Sequence, residues 1–135
     1  MCGIAGIFRL GKSFPVASLH TMGAALAHRG PDAEGVVAWD ASGERLAAGE
    51  AEGGLVHRRL SILDLSERGS QPMTLGSEQP WIVYNGECYN FRELREELEG
   101  LGRHFESDCD TEVLLHGMEC WGLEALLGRM NGMFA

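Results

Sequence analysis

A cysteine stands at position 2, directly before a short strand-like segment, and this placement constrains the amino-terminal end of the fold. The apolar and glycine residues of Ile4–Phe8 predict a buried strand between Met1 and Arg9. Removal of Met1, which the small neighbouring side chain should permit, would leave Cys2 with a free α-amine. Unperturbed thiols and α-amines titrate at about 8.5 and about 8, so such a residue combines a nucleophile with its own base for acyl transfer. In an arbitrary protein, however, a cysteine at this place is most often a small apolar filler.

The size and composition of the chain are those of one ordinary globular domain. It has 135 residues, of which 44% are apolar and 23% are charged, and both fractions are typical of folded proteins. No apolar run approaches the length of a membrane span, and the amino terminus lacks a signal-peptide pattern, so we expect a cytoplasmic location. The net charge is −9 without a basic patch, which argues against nucleic acid and membranes as partners.

The cysteine spacing argues against a disulfide framework and against a zinc site. The four cysteines form no CxxC pair, and no histidine stands at zinc-ligand spacing from them. We therefore expect Cys88, Cys109 and Cys120 to be small apolar residues in or near the core.

Hydrophobic periodicity predicts an α+β chain, with most strands in the first part and most helices in the second. Besides the first segment, strands are expected at Gly35–Trp39, Arg45–Ala48, the beginning of Leu55–Leu65, and Trp81–Asn85. Helices are expected at Val16–His28, Phe91–Leu101, Thr111–Trp121 and Leu123–Leu127. Asn90 and Asp110 stand where the N-caps of two of these helices belong.

The sequence stops inside a predicted element. Met130–Ala135 begins a further apolar, strand-like run, and the strands that would follow it in a layered fold are expected outside this sequence. An incomplete sheet exposes unpaired edge groups and apolar surface, so we expect marginal solubility or self-association of the isolated chain.

Five short segments stand out along the chain. They are Cys2–Gly6, His28–Gly35, His57–Asp64, Tyr84–Asn90 and Ser107–Val113. Together they resemble the class II glutamine amidotransferase domain, in the version that forms the amino terminus of asparagine synthetase B-type proteins. Each segment alone is a weak signal, but the five occur in the family's order and span nearly the whole chain.

The resemblance implies an enzyme with the N-terminal nucleophile hydrolase fold, a four-layer αββα sandwich, of which residues 1–135 form the amino-terminal portion. In this family the N-terminal cysteine, here Cys2, attacks the side-chain amide of L-glutamine. A thioester forms, ammonia leaves, and water then releases glutamate. The α-amine of Cys2 acts as the proton shuttle, so His28 and His57 are expected to be hydrogen-bonded residues of the fold.

Asn85 and Gly86 match the family's oxyanion hole, which uses the asparagine side-chain amide and the glycine backbone N–H. Attack on an amide places negative charge on its oxygen, and one side-chain donor aimed there is worth about 3 kcal/mol. Gly86 would permit a close backbone approach or a positive φ. From the local pattern alone, an Asn-Gly turn that closes a hairpin fits equally well.

Arg59 matches the family's clamp for the α-carboxylate of glutamine, since a guanidinium can bind a carboxylate through two hydrogen bonds. Neighbouring side chains of a strand point to opposite faces, so only one of Arg58 and Arg59 is expected to serve. The same match assigns Leu60 and Ile62 to substrate binding.

Asp110 matches the residue that holds the α-ammonium group, and Glu87 is expected near the same group. A role of Asp110 as a helix N-cap fits the local pattern equally well, and one oxygen could serve each role. The chain departs from the family at Cys88, where an aliphatic residue is usual, and at Cys109. We expect these changes to alter packing and sensitivity to oxidation, and not the chemistry.

An asparagine synthetase also needs a domain that activates aspartate with ATP. This sequence has no Ser-Gly-Gly triplet and no P-loop pattern. No cofactor is therefore expected on this chain, and ATP and Mg²⁺ are expected only in the synthetase domain, which is the partner that accepts ammonia.

Several alternatives stay open at this point. Relatives with these motifs act on peptide or surface-polysaccharide precursors, so the sequence does not determine the ammonia acceptor. It also does not determine the oligomeric state, for which a homodimer is one alternative. If Met1 is retained, the chain would be a non-catalytic glutamine-binding module. A structural protein with chance motifs would leave Arg59, Asn85, Gly86 and Asp110 scattered in space.

Overall fold

A computed structural model describes residues 2–60, 69–76 and 80–135. The strands in these ranges are β1 Gly3–Phe8, β2 Phe14–Pro15, β3 Ala33–Trp39, β4 Glu50–Ala51, β5 Gly53–Arg59, β6 Gly86–Cys88 and β7 Gly132–Phe134. The helices are α1 Ala17–Ala25, α2 Phe91–Gly100, α3 Asp110–Trp121 and α4 Leu123–Arg129.

The first half of the chain builds a three-stranded antiparallel sheet in the order β1-β5-β3. The register pairs Gly3 of β1 with Arg58, and Ala33 of β3 with Arg59. The short strands β2 and β4 form a separate pair. Because β5 is hydrogen-bonded along both edges, its position in the sheet is fixed.

Helix α1 covers one face of this sheet. Leu19 of α1 and Val56 of β5 are fully buried there. Gly54 allows the contact, because a Cβ at this position would overlap the Leu19 side chain. Strand residues alternate between faces, so His57 and Arg59 lie on the face opposite to Val56 and α1.

The second half of the chain packs helices α2, α3 and α4 beside the antiparallel pair of β6 and β7. Helix α3 is central, since it contacts both α2 and α4 and Thr111–Gly117 are all buried. The core here consists of Tyr84, Cys88, Leu94, Leu98, Val113, Leu114 and Leu126. Burial of one aliphatic side chain stabilises a fold by about 1.5–3 kcal/mol, so this cluster holds α3 firmly.

A buried histidine connects the sheet to the second half. The His57 side chain is 2% exposed, and its ring forms a hydrogen bond with the backbone of Tyr84. Burial, assisted by the charge of Arg59, lowers the pKa of His57 to about 4. The ring is therefore neutral near pH 7. Its Nε2 is buried and has no hydrogen-bond partner among the described residues, so the expected role as a hydrogen-bonded residue holds for one side of the ring only.

The four predicted helices are confirmed, with differences at their ends. Helix α1 ends at Ala25, before its predicted end. Asn90 is the N-cap of α2, but its side-chain oxygen accepts the N–H of Asn131 at 2.8 Å and makes no capping bond. The prediction that Asp110 is an N-cap is wrong, because Cys109 occupies that position and Asp110 begins α3.

The strand predicted at Trp81–Asn85 is wrong. Ile82 forms only an isolated bridge with Met73, and the Tyr84 N–H donates to the side chain of Gln71 at 2.6 Å. The backbone groups of this segment are bound by separate partners and form no continuous ladder.

The other strand predictions are confirmed in part. The segment Met1–Arg9 contains β1, although the Phe8 side chain is exposed. Arg45–Ala48 contributes one bridge between Arg45 and Trp39 and no strand. The predicted strand in Leu55–Leu65 corresponds to β5, and residues 61–65 lie outside the described residues. In the parts of the chain that the structure describes, no helix combines the length and apolar character that crossing a membrane requires.

Gly30 lies against the backbone at the end of β5, and replacing it tests this contact. A Cβ at Gly30 would overlap the Arg58 carbonyl group and lie 2.7 Å from the Arg59 carbonyl carbon. We expect Gly30→Ala to destabilise the fold by about 1–3 kcal/mol in urea denaturation, because backbone atoms cannot move aside. Gly100→Ala is the matched control, since no atom lies within 4 Å of a Cβ there, and it should be neutral or stabilising by up to about 1 kcal/mol. Equal stability of the two variants would contradict this packing.

Acid should destabilise the fold through His57. The pKa of this ring is 6.5 in the unfolded chain and about 4 in the folded protein, so the unfolded state binds more protons between these values. Stability is complete above about pH 6.5 and falls as the pH approaches 4, by about 3 kcal/mol in total from this residue. Urea midpoints measured across this range should depend less steeply on pH in His57→Gln.

The exposed His28 provides the control for that measurement, since His28→Gln should keep the wild-type slope. His116, whose pKa is also lowered by burial, contributes slope that remains in both variants. Identical slopes in the His57 and His28 variants would refute a buried neutral His57.

Candidate active site

Cys2 lies where the beginning of β1 meets the end of β5. Its sulfur accepts the N–H of Leu60 at 3.5 Å and lies 4.0 Å from the carbonyl oxygen of the same residue. The residue is only partly buried, so the thiol is not enclosed in the core. The sulfur therefore lies against the backbone at the end of β5.

The strand register brings Arg59 opposite Cys2. Gly3 pairs with Arg58 in an antiparallel ladder, and continuing this register by one residue places Cys2 across from Arg59. Arg58 points to the other face, where its Nε donates to the Gly30 carbonyl and its Nη1 donates to Glu34, both at 3.0 Å. Arg58 thus holds the fold together, as expected if only one of the two arginines binds a ligand.

The segment around Gly30 braces the end of β5 from the other side. The Asp32 N–H donates to the Arg59 carbonyl at 3.1 Å, and Gly30 contacts the backbone of Arg58. His28 is exposed, with its Nδ1 3.1 Å from the Ala25 carbonyl oxygen. This motif therefore supports the strand that carries Arg59.

Gly86 opens strand β6 and does not form a turn, so the hairpin-turn alternative for Asn85-Gly86 is wrong. A Cβ at Gly86 would overlap the Met133 carbonyl oxygen and lie 2.5 Å from the Phe134 Cα. Its φ is not positive. Glycine is therefore required here for the close approach of β7. Of the two reasons considered from the sequence, close backbone approach applies and positive φ does not.

Hydrogen-bond alternation sets the direction of the β6 N–H groups. Asn85 exchanges two backbone bonds with Ala135, at 3.0 and 2.9 Å. Gly86 consequently occupies a non-hydrogen-bonded position of the ladder, and its N–H points away from β7. The Cys88 N–H points the same way and donates to Asp110 Oδ2 at 3.0 Å. The Gly86 N–H and the Asp110 carboxylate therefore lie along the same edge of β6.

Asp110 is a partly buried carboxylate at the beginning of α3. Its Oδ1 lies 3.4 Å from the hydroxyl of Thr111, which donates to it. Burial raises the pKa of Asp110, and the hydrogen bonds from Cys88 and Thr111 only partly offset this effect. A carboxylate in this state is stabilised by a cation placed beside it, so the position suits an ammonium group.

Gln71 is a residue of this region that sequence reasoning missed. Its Oε1 accepts the Tyr84 N–H at 2.6 Å, and its Nε2 donates to Thr111 Oγ1 at 3.1 Å. It stands in a stretch of polar and Pro residues that reads as an irregular loop, and its partners are 13 and 40 residues away. No local pattern reveals such contacts.

The remaining predicted site residues are placed as follows. Leu60 binds Cys2 through its backbone. Glu87 lies in β6 with an exposed side chain and pairs with the exposed Met133, so its proximity to the ammonium group stays a prediction. Ile62 and Met1 lie outside the described residues.

The other cysteines are free thiols in or near the core. Cys88 is buried and donates to Asn90 Oδ1 at 3.4 Å, whereas Cys109 Sγ lies 2.9 Å from the Ser107 hydroxyl. Burial raises the pKa of both thiols. Both departures from the family pattern are therefore accommodated in or near the core, and their sensitivity to oxidation stays a prediction.

Comparison with known proteins gives a consistent result. A family model described as a glutamine amidotransferase domain matches residues 1–135. Asparagine synthetase [glutamine-hydrolyzing] 1 of Bacillus subtilis is 39% identical over 142 residues, with 100% of this chain and 20% of the relative covered. Glutamine–fructose-6-phosphate aminotransferase [isomerizing] of Sulfurisphaera tokodaii is 33% identical over 138 residues, with coverages of 88% and 23%. The chain thus spans about a fifth of the length of these relatives.

A solved structure supports the fold. The glutamine phosphoribosylpyrophosphate amidotransferase of B. subtilis, complexed with ADP and GMP, matches 99% of this chain and 33% of its own with a TM-score of 0.72. The identity is 24%, which supports the fold alone. The predicted N-terminal nucleophile hydrolase fold is confirmed, and the chain belongs to the glutamine amidotransferase domain family.

Proposed function

We propose that this chain is the glutaminase part of an asparagine synthetase-like protein and that residues 1–135 are the amino-terminal portion of that domain. The observation that carries the proposal is the position of the Cys2 sulfur. It lies against the backbone of Leu60, in a residue that is only partly buried, and the strand register places Arg59 opposite it. A thiol that served only as core packing would be enclosed.

In the proposed reaction, removal of Met1 exposes the α-amine of Cys2, which takes the thiol proton. The sulfur attacks the side-chain amide carbon of L-glutamine, and the tetrahedral adduct collapses to a thioester as the amine returns a proton to the departing ammonia. A water molecule then attacks the thioester, and glutamate and the free thiol are released. Each proton removed by the α-amine is thus returned within the cycle.

Asn85 and Gly86 are proposed to stabilise the negative oxygen of both tetrahedral adducts. Support comes from the Gly86 N–H, which points away from β7, and from the two backbone bonds that hold Asn85 to Ala135. A donor held in place before the reaction loses no energy to reorganisation and contributes about 3 kcal/mol.

The substrate is proposed to be held at its α-carboxylate by Arg59 and at its α-ammonium by Asp110, with Leu60, Ile62 and Glu87 near it. The raised pKa of Asp110 supports this assignment, because a buried carboxylate gains most from a cation that enters beside it. Arg59 and Asp110 carry the opposite charges that a zwitterion requires.

The ammonia acceptor is proposed to be aspartate activated with ATP and Mg²⁺ in a synthetase domain of the same protein. The B. subtilis relative, which is named for asparagine synthesis with glutamine hydrolysis and is about five times longer than the match, supports this proposal. A peptide or surface-polysaccharide acceptor is the alternative. A cytoplasmic location and a homodimer complete the proposal.

Cys2→Ala should lower the rate of ammonia release from L-glutamine by a factor on the order of 10³ or more, because the nucleophile is lost. Cys120→Ala is the matched control, since this free thiol lies on α3 and bonds only to Arg103 in the described structure; it should remain active. Intact-mass measurement of the active enzyme should show that Met1 is absent. Equal activity of the two variants, or an active enzyme that retains Met1, would refute the proposed mechanism.

Asp110→Asn should raise the KM for glutamine by about 10–100-fold with little change in kcat, because a charged hydrogen bond is worth about 1.5–3 kcal/mol. The new side chain keeps an oxygen for the Cys88 N–H, so the fold is preserved. Asp108→Asn makes the same change at a fully exposed carboxylate and should leave KM unaltered. A normal KM in Asp110→Asn would remove this residue from the substrate site.

A further inference from the structure

We propose that Gln71 is a positioning residue that holds the oxyanion-binding segment and the ammonium-binding carboxylate in one fixed arrangement. The inference rests on the proposed function, because it concerns the same site. Gln71 is assigned no contact with the substrate. It acts through Tyr84, which precedes Asn85, and through Thr111, which follows Asp110.

The side chain of Gln71 joins two segments that are far apart in sequence. Its Oε1 accepts the Tyr84 N–H at 2.6 Å, and its Nε2 donates to Thr111 Oγ1 at 3.1 Å. A backbone N–H can only donate, so this contact fixes which end of the amide is the oxygen. The Thr111 hydroxyl accepts from Gln71 and donates to Asp110 Oδ1 at 3.4 Å. One amide thereby reaches both halves of the proposed site.

The backbone of Gln71 is itself held by the sheet. A Cβ at Gly35 of β3 would overlap the Gln71 carbonyl oxygen, so the loop packs directly on this strand. The amide therefore extends from a fixed base. A flexible loop could not transmit position to its two partners, whereas this one can.

Tyr84 is held from two directions. Gln71 binds its N–H, and the neutral ring of His57 forms a second hydrogen bond with its backbone. The next residue, Asn85, exchanges two bonds with Ala135. These contacts restrict rotation of the peptide that leads to Asn85, and small displacements of such donors are costly, since a shift of 1 Å can lower a rate by about 10²-fold.

The two hydrogen bonds of the Gln71 side chain, called the Tyr84 arm and the Thr111 arm, should have different kinetic effects. The Tyr84 arm positions the oxyanion donors, which act in the transition state, so its loss should lower kcat. The Thr111 arm positions the Asp110 carboxylate, which binds the ground state, so its loss should raise KM. An amide is required for both arms, because a carboxylate can only accept and a thioether is a poor partner for either.

The test compares Gln71→Met, Gln71→Glu and Thr111→Val in the purified full-length protein, with ammonia release from L-glutamine as the assay. Gln71→Met should lower kcat by about 10–100-fold and raise KM about tenfold. Thr111→Val should raise KM about tenfold with kcat within threefold of wild type. Gln71→Glu keeps an acceptor for the Tyr84 N–H, so it should recover most of kcat and retain the raised KM.

Thr21→Val is the matched control for Thr111→Val. Thr21 is an exposed helical residue of α1 whose hydroxyl bonds to the Ala17 carbonyl at 3.2 Å, so this change should leave both constants unaltered. Affinity for glutamate γ-semialdehyde, which forms a tetrahedral adduct with a thiol, provides a further measurement. In Gln71→Met, the affinity for the semialdehyde should fall more than the affinity for L-glutamate. In Thr111→Val, the two affinities should fall by the same factor.

A purely structural role gives a different result. In that case kcat and KM would change together with the midpoint of thermal unfolding, and Gln71→Glu would recover nothing, which would overturn the inference. If Gln71→Met fails to fold, Gln71→Glu and Thr111→Val still decide the question, because both should raise KM with kcat near that of wild type. An unaltered KM in either variant would overturn the inference. Wild-type protein without glutaminase activity would instead refute the proposed function, whereas active wild type with fully active Gln71→Met would refute only the positioning role.

Discussion

The pairing of β5 with a strand on each side governs both the core and the proposed site. Alternation along this strand sends Val56 into the core beneath α1 and places His57 and Arg59 on the opposite face. A slip of one residue in the register would exchange the two faces, and would turn Val56 out of the apolar cluster and Arg59 away from the face of Cys2. The Gly30 segment and the Cys2 sulfur both bind the end of β5, so the position of the thiol follows from the register.

The second half of the molecule contributes the edge of strand β6 to the proposed site, whereas the first half contributes a face of strand β5. In β6 the N–H groups of Gly86 and Cys88 point away from β7, and Asp110 meets the second of them. Partial burial raises the pKa of this carboxylate, so the protein without a ligand holds it in an electrostatically unfavourable setting. In the proposed function, the energy of binding an ammonium group offsets that cost.

Helices and motifs could be predicted from the sequence because their signals are local. The apolar spacing of Leu94 and Leu98 repeats within one turn of α2, and both residues are buried as that spacing requires. The expectation that only one of Arg58 and Arg59 faces the ligand follows from alternation alone. The strand at Trp81–Asn85 was wrongly predicted because strand formation depends on a partner, and the Tyr84 N–H is taken by a glutamine side chain.

The N-cap prediction for Asp110 was wrong for a related reason. Its oxygens bind the Cys88 N–H and the Thr111 hydroxyl, and Cys109 takes the cap position. The role of Gln71 was missed because both partners are distant in sequence. Periodicity shows which residues share a face but not which distant backbone group a polar side chain reaches.

The sequence by itself determined the family, the helices, the nucleophile candidate and the residues that match its binding motifs, since spacing and residue type carry that information. Only the tertiary structure decided that Cys2 meets Leu60, that Gly86 is required for contact with β7, and that one amide joins Tyr84 to Thr111. These features depend on hydrogen bonds and close approaches between segments far apart along the chain. Such contacts exist only after the sheet register and the helix packing are established.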